Sequence, residues 1–556
     1  MHHEYELDNF KAFSASSSMP IRPITLIYGP NSSGKSSILQ SLLLMKQTLD
    51  EAETPETLLL PKGNLVDLGG YREFIHRHDT ERPFCVRLNI SIENRPASVP
   101  VELLQALGIT ELGLKIQFGY DQDSASALIE KFTFYFNNAD KSFCEFARRK
   151  LNAREVEQVR ARIPLRAGQP SQICGGTILN KEHPILIKIA ELEQQQQFSR
   201  LSRSEIQESL HLYKKRLEMI EKLEASAKSE SKEGHSRKQR RKSTGLLPEK
   251  QQLKEQVALL ERQLSLASRP LHELLRSMEE KHQRTVVVAR NFLPGEIDVY
   301  QGDEEKEPLL RHAFPMRMSN LLARVCTLAS QLFRQFLEKL VYLGPLRESP
   351  ERHYVFSGNV TGQVGKTGRL VPDVLFKNRS LLEKVNNQLA AFGIGYDLVI
   401  TGSSTGELND VFSLRLVDRK TSVNASILDV GFGISQVLPI IVQSMLSHGK
   451  TLCIEQPEIH LHPRLQAEIG SLLAECIRPP YSNRFIVETH SQHLILRIQR
   501  LIYEKKVSNT DISILYVDKN SSGSQCLELR LDRDGEFIDE WPDGFFEEGY
   551  KEMFAR

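Results

Sequence analysis

Residues 29–37 read Gly29-Pro30-Asn31-Ser32-Ser33-Gly34-Lys35-Ser36-Ser37, and no other stretch constrains the fold as tightly. The pattern G-x-x-x-x-G-K-S works only between a buried strand and the start of a helix. Both flanks are present. Residues 21–28, IRPITLIY, form a short apolar run, and Ile38, Leu42, Met45 and Leu49 follow at helical spacing. The glycines let backbone N–H groups turn inward round an anion, and the helix N-terminus adds partial positive charge. In that frame Lys35 reaches the β- and γ-phosphates of ATP and the Ser36 hydroxyl ligates Mg²⁺. ATP and Mg²⁺ are therefore the expected cofactors.

At 556 residues the chain is too long for a single compact core. Its 26% charged residues nearly cancel, to a formal net charge of +1, so any polyanion would have to meet a local patch. The seven cysteines contain no C-x-x-C pair, which speaks against a zinc site or a disulfide framework and fits a reducing cytoplasm. The N-terminus MHHEYELDNF lacks the plan of a signal peptide. Apolar runs such as ILQSLLLM fall far below the roughly 20 residues that span a bilayer. A cytoplasmic protein without a membrane segment is expected.

The fold class expected is α/β: a P-loop sheet with an antiparallel β subdomain, interrupted by an antiparallel coiled-coil hairpin. Runs such as CVRLNISI, LGLKIQF and FTFYF, within residues 83–146, alternate as antiparallel strands do. Residues 190–285 are rich in Glu, Gln, Lys, Arg and Leu. Ile206, Leu210, Tyr213, Leu217 and Ile220 form one heptad-like stripe, and Leu253, Val257, Leu260, Leu264 and Ala267 form a second. Three segments follow: an N-terminal lobe over 1–189, the helical insertion over 190–285, and a C-terminal lobe over 286–556. The loop between the arms carries Arg237, Lys238, Arg240, Arg241 and Lys242, a candidate nucleic-acid contact that reads equally well as a solvated tip.

A second group of motifs lies late in the chain. Thr451-Leu-Cys-Ile-Glu-Gln-Pro-Glu458 reads as a buried strand ending in acidic residues, with Glu455 placed to hold Mg²⁺ or its water. Before it, Asp429-Val-Gly-Phe-Gly-Ile-Ser-Gln436 is a Gly/Ser turn opening an apolar helix, with Gly431, Gly433 and Ser435 as candidate contacts to an anion. After it, Phe485-Ile-Val-Glu-Thr-His-Ser491 is an apolar strand whose end carries His490, a candidate γ-phosphate sensor.

The order P-loop, long insertion, Gly/Ser turn, acidic strand end, strand-end histidine resembles the ABC-type ATPase heads of the SMC and RecF group. EQPEIHLHP, VGFGISQ, YLGPLRESPER and DGEFIDEWPDGFFEE look like the bacterial DUF3696-type ATPases. With its helical insertion the chain is most similar to the PtuA family of Septu and retron-linked antiphage systems. The resemblance implies that two heads sandwich ATP, with Gly431, Gly433 and Ser435 facing the opposite nucleotide and His490 as switch histidine. It also implies a homodimer or higher even oligomer, an HNH nuclease partner of the PtuB type and, in retron-linked versions, a reverse transcriptase with its DNA–RNA product.

Two positions depart from the pattern. The signature turn lacks its usual leading serine, and the usual Asp-Glu pair reads Glu455-Gln456. A glutamine orients water but cannot take its proton. Either Glu458 or another group substitutes as base, or hydrolysis is slow. Glu455, Gln456, Glu458 and His490 are thus the candidate catalytic residues. A long-lived bound state suits a switch that holds a nuclease. The alternatives are an SMC/RecF-like DNA-repair ATPase, which calls for a complete base, and an overcoming-lysogenisation-defect type ATPase-nuclease, whose Toprim domain would not fit in the stretch after His490. A Q-loop is expected within NLVDLGGYREF, with no residue assigned.

Overall fold

The computed structural model describes residues 3–92 (without Pro55), Leu104, 107–137, 141–148, 173–188, 203–230, 250–261 (without Leu259), part of 273–279, 285–299, 318–358, 362–402 and 410–542 (without Phe432). The chain begins with β1 (His3–Asp8), β2 (Ser17–Ile21) and β3 (Ile24–Tyr28), and the loop after β3 runs into helix α1 (Lys35–Glu51). An antiparallel meander follows: β4 (Phe84–Ser91), β5 (Glu111–Asp121), β6 (Ser126–Phe136), β7 (Cys144–Arg148) and β8 (Ile173–Leu179). Helix α2 (Arg203–Glu230) comes next, then β9 (Thr285–Arg290) and β10 (Leu293–Val299). These strands form a nine-stranded sheet ordered β10-β9-β8-β7-β6-β5-β4-β1-β2, leaving out β3.

Beyond it lie α3 (Met318–Glu338), β11 (Leu340–Leu343), β12 (Tyr354–Val355), α4 (Val371–Lys377), α5 (Arg379–Ala391), β13 (Tyr396–Gly402), β14 (Val411–Asp418) and β15 (Asn424–Ser426). The last part holds α6 (Gly433–Leu446), β16 (Thr451–Glu455), α7 (Pro463–Cys476), β17 (Arg484–Glu488), α8 (Gln492–Tyr503), β18 (Ile512–Lys519) and β19 (Ser524–Glu528). Six strands form the second sheet, ordered β11-β16-β17-β3-β18-β19. The first five run parallel, and β19 closes the edge antiparallel.

A parallel sheet must be covered on both faces, and the side chains alternate accordingly. Leu26, Leu452, Ile454, Phe485, Val487 and Ile514 point into a core shared with α4 to α8. Ile27, Cys453, Ile486 and Leu515 point the other way, into a core shared with α1, α3 and the nine-stranded sheet. The single tryptophan, Trp541, packs edge-on against Tyr28 and Tyr516, tying the tail to the strand that precedes the P-loop.

The helical insertion leaves the nine-stranded sheet after β8, and β9 returns to pair with β8. Residues 285–299 thus complete the sheet begun by the N-terminal segment, although the sequence division at 285 assigns nearly all of them to the C-terminal lobe. Within the insertion, Leu210 packs with Leu260 and Tyr213 and Val257 join them, while Lys214 reaches Glu261 at 2.6 Å and Lys250 reaches Glu221 at 3.5 Å. Later residues of α2 meet earlier residues of the second helical stretch, which is antiparallel pairing. Arg237, Lys238, Arg240, Arg241 and Lys242 lie outside the described residues, as do Leu264 and Ala267. Among the described residues no helix is long and apolar enough to cross a membrane.

Candidate functional site

β3 delivers the chain to Gly29 with φ 144°, and a Cβ there would stand 2.3 Å from the Val517 carbonyl oxygen of β18. Gly34, at φ 103°, would set a Cβ 2.7 Å from that of Ala12. Both positions therefore require glycine, and Ser32 adds a third positive φ of 60°. Gly29→Ala is expected to destabilise the loop by about 1–3 kcal/mol through this strain, lowering both the melting temperature and nucleotide affinity. Calorimetry and titration on the same preparation would show it.

Lys35 opens α1 and is only 4% exposed. Its Nζ donates to the carbonyls of Gly29 at 3.0 Å and Pro30 at 2.7 Å, so the ammonium is held inside the loop. Burial lowers its pKa, and the carboxylates of Glu488 and Glu458 oppose that shift. Ser36 Oγ donates to Glu488 Oε1 at 2.9 Å, a contact across 452 residues of sequence.

Glu488 closes β17 and stands in register with Glu455, which closes β16. Glu488 is 4% exposed, and its Oε2 has no hydrogen-bond partner. Burial, then the neighbouring Glu455, pushes its carboxyl up to about 7. Glu455 is held differently: its Oε1 accepts from the Tyr342 hydroxyl of β11 at 3.0 Å, and burial raises its pKa too. Arg347, just past β11, aims Nη2 at the Glu455 carbonyl at 3.5 Å. Its Nε and Nη1 are buried without partners, and desolvation pulls the guanidinium down to about 10.

Gln456 leaves the strand at φ 44°, its backbone N–H donating to the Glu488 carbonyl at 2.7 Å. Glu458 is occupied on both oxygens. One accepts from Thr489 Oγ1 at 2.7 Å and the other from the His490 backbone N–H at 2.7 Å. It therefore secures the end of β17. His490 is half-buried, and burial together with Lys35 lowers its pKa. Ser491 then caps α8 through Leu494 N–H at 3.1 Å.

The Gly/Ser turn sits where α6 begins. Gly431 is exposed, Gly433 is the first helical residue, and Ser435 is buried at 7% exposure. A Cβ on Gly433 would come 3.4 Å from the His460 carbonyl, so the turn packs beside the loop that follows β16. Ser435 is buried, and Gly431 and Gly433 are the more exposed residues of the turn.

The structure thus brings Lys35, Ser36, Glu455, Gln456, Glu458 and His490 to one end of the parallel sheet. It adds Glu488, Tyr342 and Arg347, which the sequence motifs do not single out. For Glu488 a signal exists: Phe-Ile-Val-Glu repeats the pattern of an apolar strand closed by a carboxylate seen at Glu455. Among the described residues no group of three His, Cys, Asp or Glu side chains is placed to hold a metal. A hard cation such as Mg²⁺ needs only oxygen donors and keeps several waters. The Ser36 hydroxyl and the buried carboxylates of Glu455 and Glu488 fit that need.

Two family models match parts of the chain. One, described as an AAA domain, putative AbiEii toxin, type IV TA system, covers residues 305–497, and so takes in Glu455 and His490 but not the P-loop. The other, described as a protein of unknown function (DUF3696), covers 507–555. No curated protein sequence matches. Among solved structures, the Smc head domain of Pyrococcus furiosus with an extended coiled coil, bound to the C-terminal domain of ScpA, aligns at 10% identity. That alignment covers 95% of this chain and 97% of the other, with a TM-score of 0.33. The SMC head of Thermotoga maritima aligns at 9% identity over 95% and 98%, also with a TM-score of 0.33.

Proposed function

We propose that this chain is an ABC-type ATPase head that binds ATP with Mg²⁺, hydrolyses it slowly, and uses the bound state as a switch. The observation that carries the reading is the Ser36–Glu488 hydrogen bond, which joins a complete P-loop to the acidic strand ends beside it. Gly29 to Ser37 turn backbone N–H groups to the phosphates, Lys35 reaches the β- and γ-oxygens, and Ser36 lies on the metal side among the acidic strand ends, Glu455 and Glu488. Mg²⁺ supplies neutralisation of the charge that develops on the β- and γ-oxygens. His490, whose pKa burial and Lys35 lower, would stand at the γ-phosphate end.

Slow turnover is supported by two features. Gln456 has no basic group to offer, and Glu458 already accepts a hydrogen bond on each oxygen, from Thr489 and the His490 N–H, which favours its unprotonated form without aiming it at a water. A head that binds tightly and releases late suits the holding of a partner better than the driving of repeated motion. The partner in this reading is an HNH nuclease of the PtuB type within an antiphage system, accompanied in retron-linked versions by a reverse transcriptase and its DNA–RNA product. The AbiEii-toxin description of the matched AAA domain supports a defence role.

Two copies would close with the accessible Gly431–Gly433 turn of one over the P-loop of the other. Light scattering tests this: ATP with Mg²⁺ is expected to double the mass of wild type, while ADP leaves it unchanged. A mass unaffected by nucleotide removes the sandwich. Co-purification with a neighbouring HNH nuclease, strengthened by ATP, tests the partner separately.

A further inference from the structure

We infer that Glu488, rather than Glu455, is the carboxylate that sets the Ser36 hydroxyl for a divalent cation beside the nucleotide. The inference rests on the nucleotide reading above. β17 lies directly beside β3, whereas β16 lies one strand further away. With neighbouring strands about 4.8 Å apart, the end of β17 is about 5 Å from the P-loop strand and the end of β16 about 10 Å. The contacts follow this spacing. Ser36 gives its single hydroxyl proton to Glu488 Oε1, which leaves the oxygen lone pairs as the donors a cation can use.

Glu455 Oε1 instead accepts from the hydroxyl of Tyr342 on β11, the strand on the far side of β16 from β17. Glu488 Oε2 is buried and has no protein partner, an arrangement that a cation or one of its bound waters would satisfy. Two buried carboxylates in register on adjacent strands repel each other, and positive charge bound nearby would lessen that repulsion. Glu488 is therefore a positioning residue: it acts on the cation through Ser36.

The test is the Mg²⁺ dependence of binding of a fluorescent ATP analogue, followed by anisotropy with the full-length protein. Glu488→Gln is expected to raise the Mg²⁺ midpoint about 10- to 100-fold, the range found when outer-shell partners of metal ligands are removed. Its affinity without Mg²⁺ should not fall, because the change removes a negative charge beside the phosphates. Glu455→Gln should shift the midpoint less. In a Ser36→Ala background, Glu488→Gln should add little, because both changes break one unit. Mn²⁺ in place of Mg²⁺ gives an independent readout, with the bound-metal signal in electron paramagnetic resonance weakened by Glu488→Gln.

An unchanged midpoint in Glu488→Gln, or a larger shift in Glu455→Gln, overturns the inference while leaving nucleotide binding intact. Absence of saturable nucleotide binding by wild type at every Mg²⁺ level overturns the nucleotide reading instead. A melting curve in chelator shows that Glu488→Gln is folded. Should it not be, Glu488→Asp keeps the charge on a shorter arm and is expected to shift the midpoint by an intermediate factor. No shift there also counts against the inference.

Discussion

Lys35→Ala is expected to weaken ATP binding about 100-fold, corresponding to about 3 kcal/mol for charge-assisted hydrogen bonds lost to phosphate. The ammonium is enclosed by the loop, within 3.0 Å of the Gly29 and Pro30 carbonyls, and is 4% exposed. It is thus already desolvated and already placed, so phosphate oxygens meet it without a large reorganisation. Removing it leaves two carbonyls without their donor, but it also removes a buried cation whose pKa is lowered by that burial. The two effects oppose each other, and the melting temperature should move little. Isothermal titration with ATP and Mg²⁺ gives the affinity, and a melting curve on the same sample gives the stability. Equal affinity in wild type and variant would refute the P-loop assignment.

The second large effect is a gain. Gln456→Glu is expected to raise the rate of ATP hydrolysis about 100-fold or more, the usual contribution of a positioned general base. The backbone is prepared for it, because the Gln456 N–H is anchored on the Glu488 carbonyl at 2.7 Å and residue 456 already holds φ 44°. Glutamate differs from glutamine at this place by charge and proton affinity, hardly by shape. Protonating Glu458 would weaken its hydrogen bonds from Thr489 and the His490 N–H, which hold the end of β17. Phosphate release under single-turnover conditions separates chemistry from product release. A wild type that turns over as fast as Gln456→Glu would end the slow-switch reading.

Much of this site is legible in the amino-acid sequence. The glycines of the P-loop announce their own geometry, since φ 144° at Gly29 and φ 103° at Gly34 are open to little else. Ile38, Leu42 and Met45 recur at helical spacing, and all three are buried in α1. Thr451 to Glu455 is an apolar run closed by a carboxylate, and it is a central strand of the parallel sheet. The stripes of the insertion mark which faces meet, as the packing of Leu210 with Leu260 shows.

Other features have no local trace. That β9 returns to pair with β8 depends on which strand edge lies open after the helical excursion. The burial of Ser435 depends on which side of α6 the sheet covers. The commitment of Glu458 depends on the end of β17 arriving beside it.

By itself the sequence determined the Gly-rich loop between β3 and α1, the acidic strand ends and the glutamine that follows Glu455, because these follow from residue type and short spacing. The tertiary structure alone decided which carboxylate Ser36 meets. Strand order in a parallel sheet is a non-local choice, made by packing both faces at once, and no residue near Glu455 or Glu488 records it. β17 sits between β3 and β16, so the nearer carboxylate is Glu488 and the P-loop closes against it.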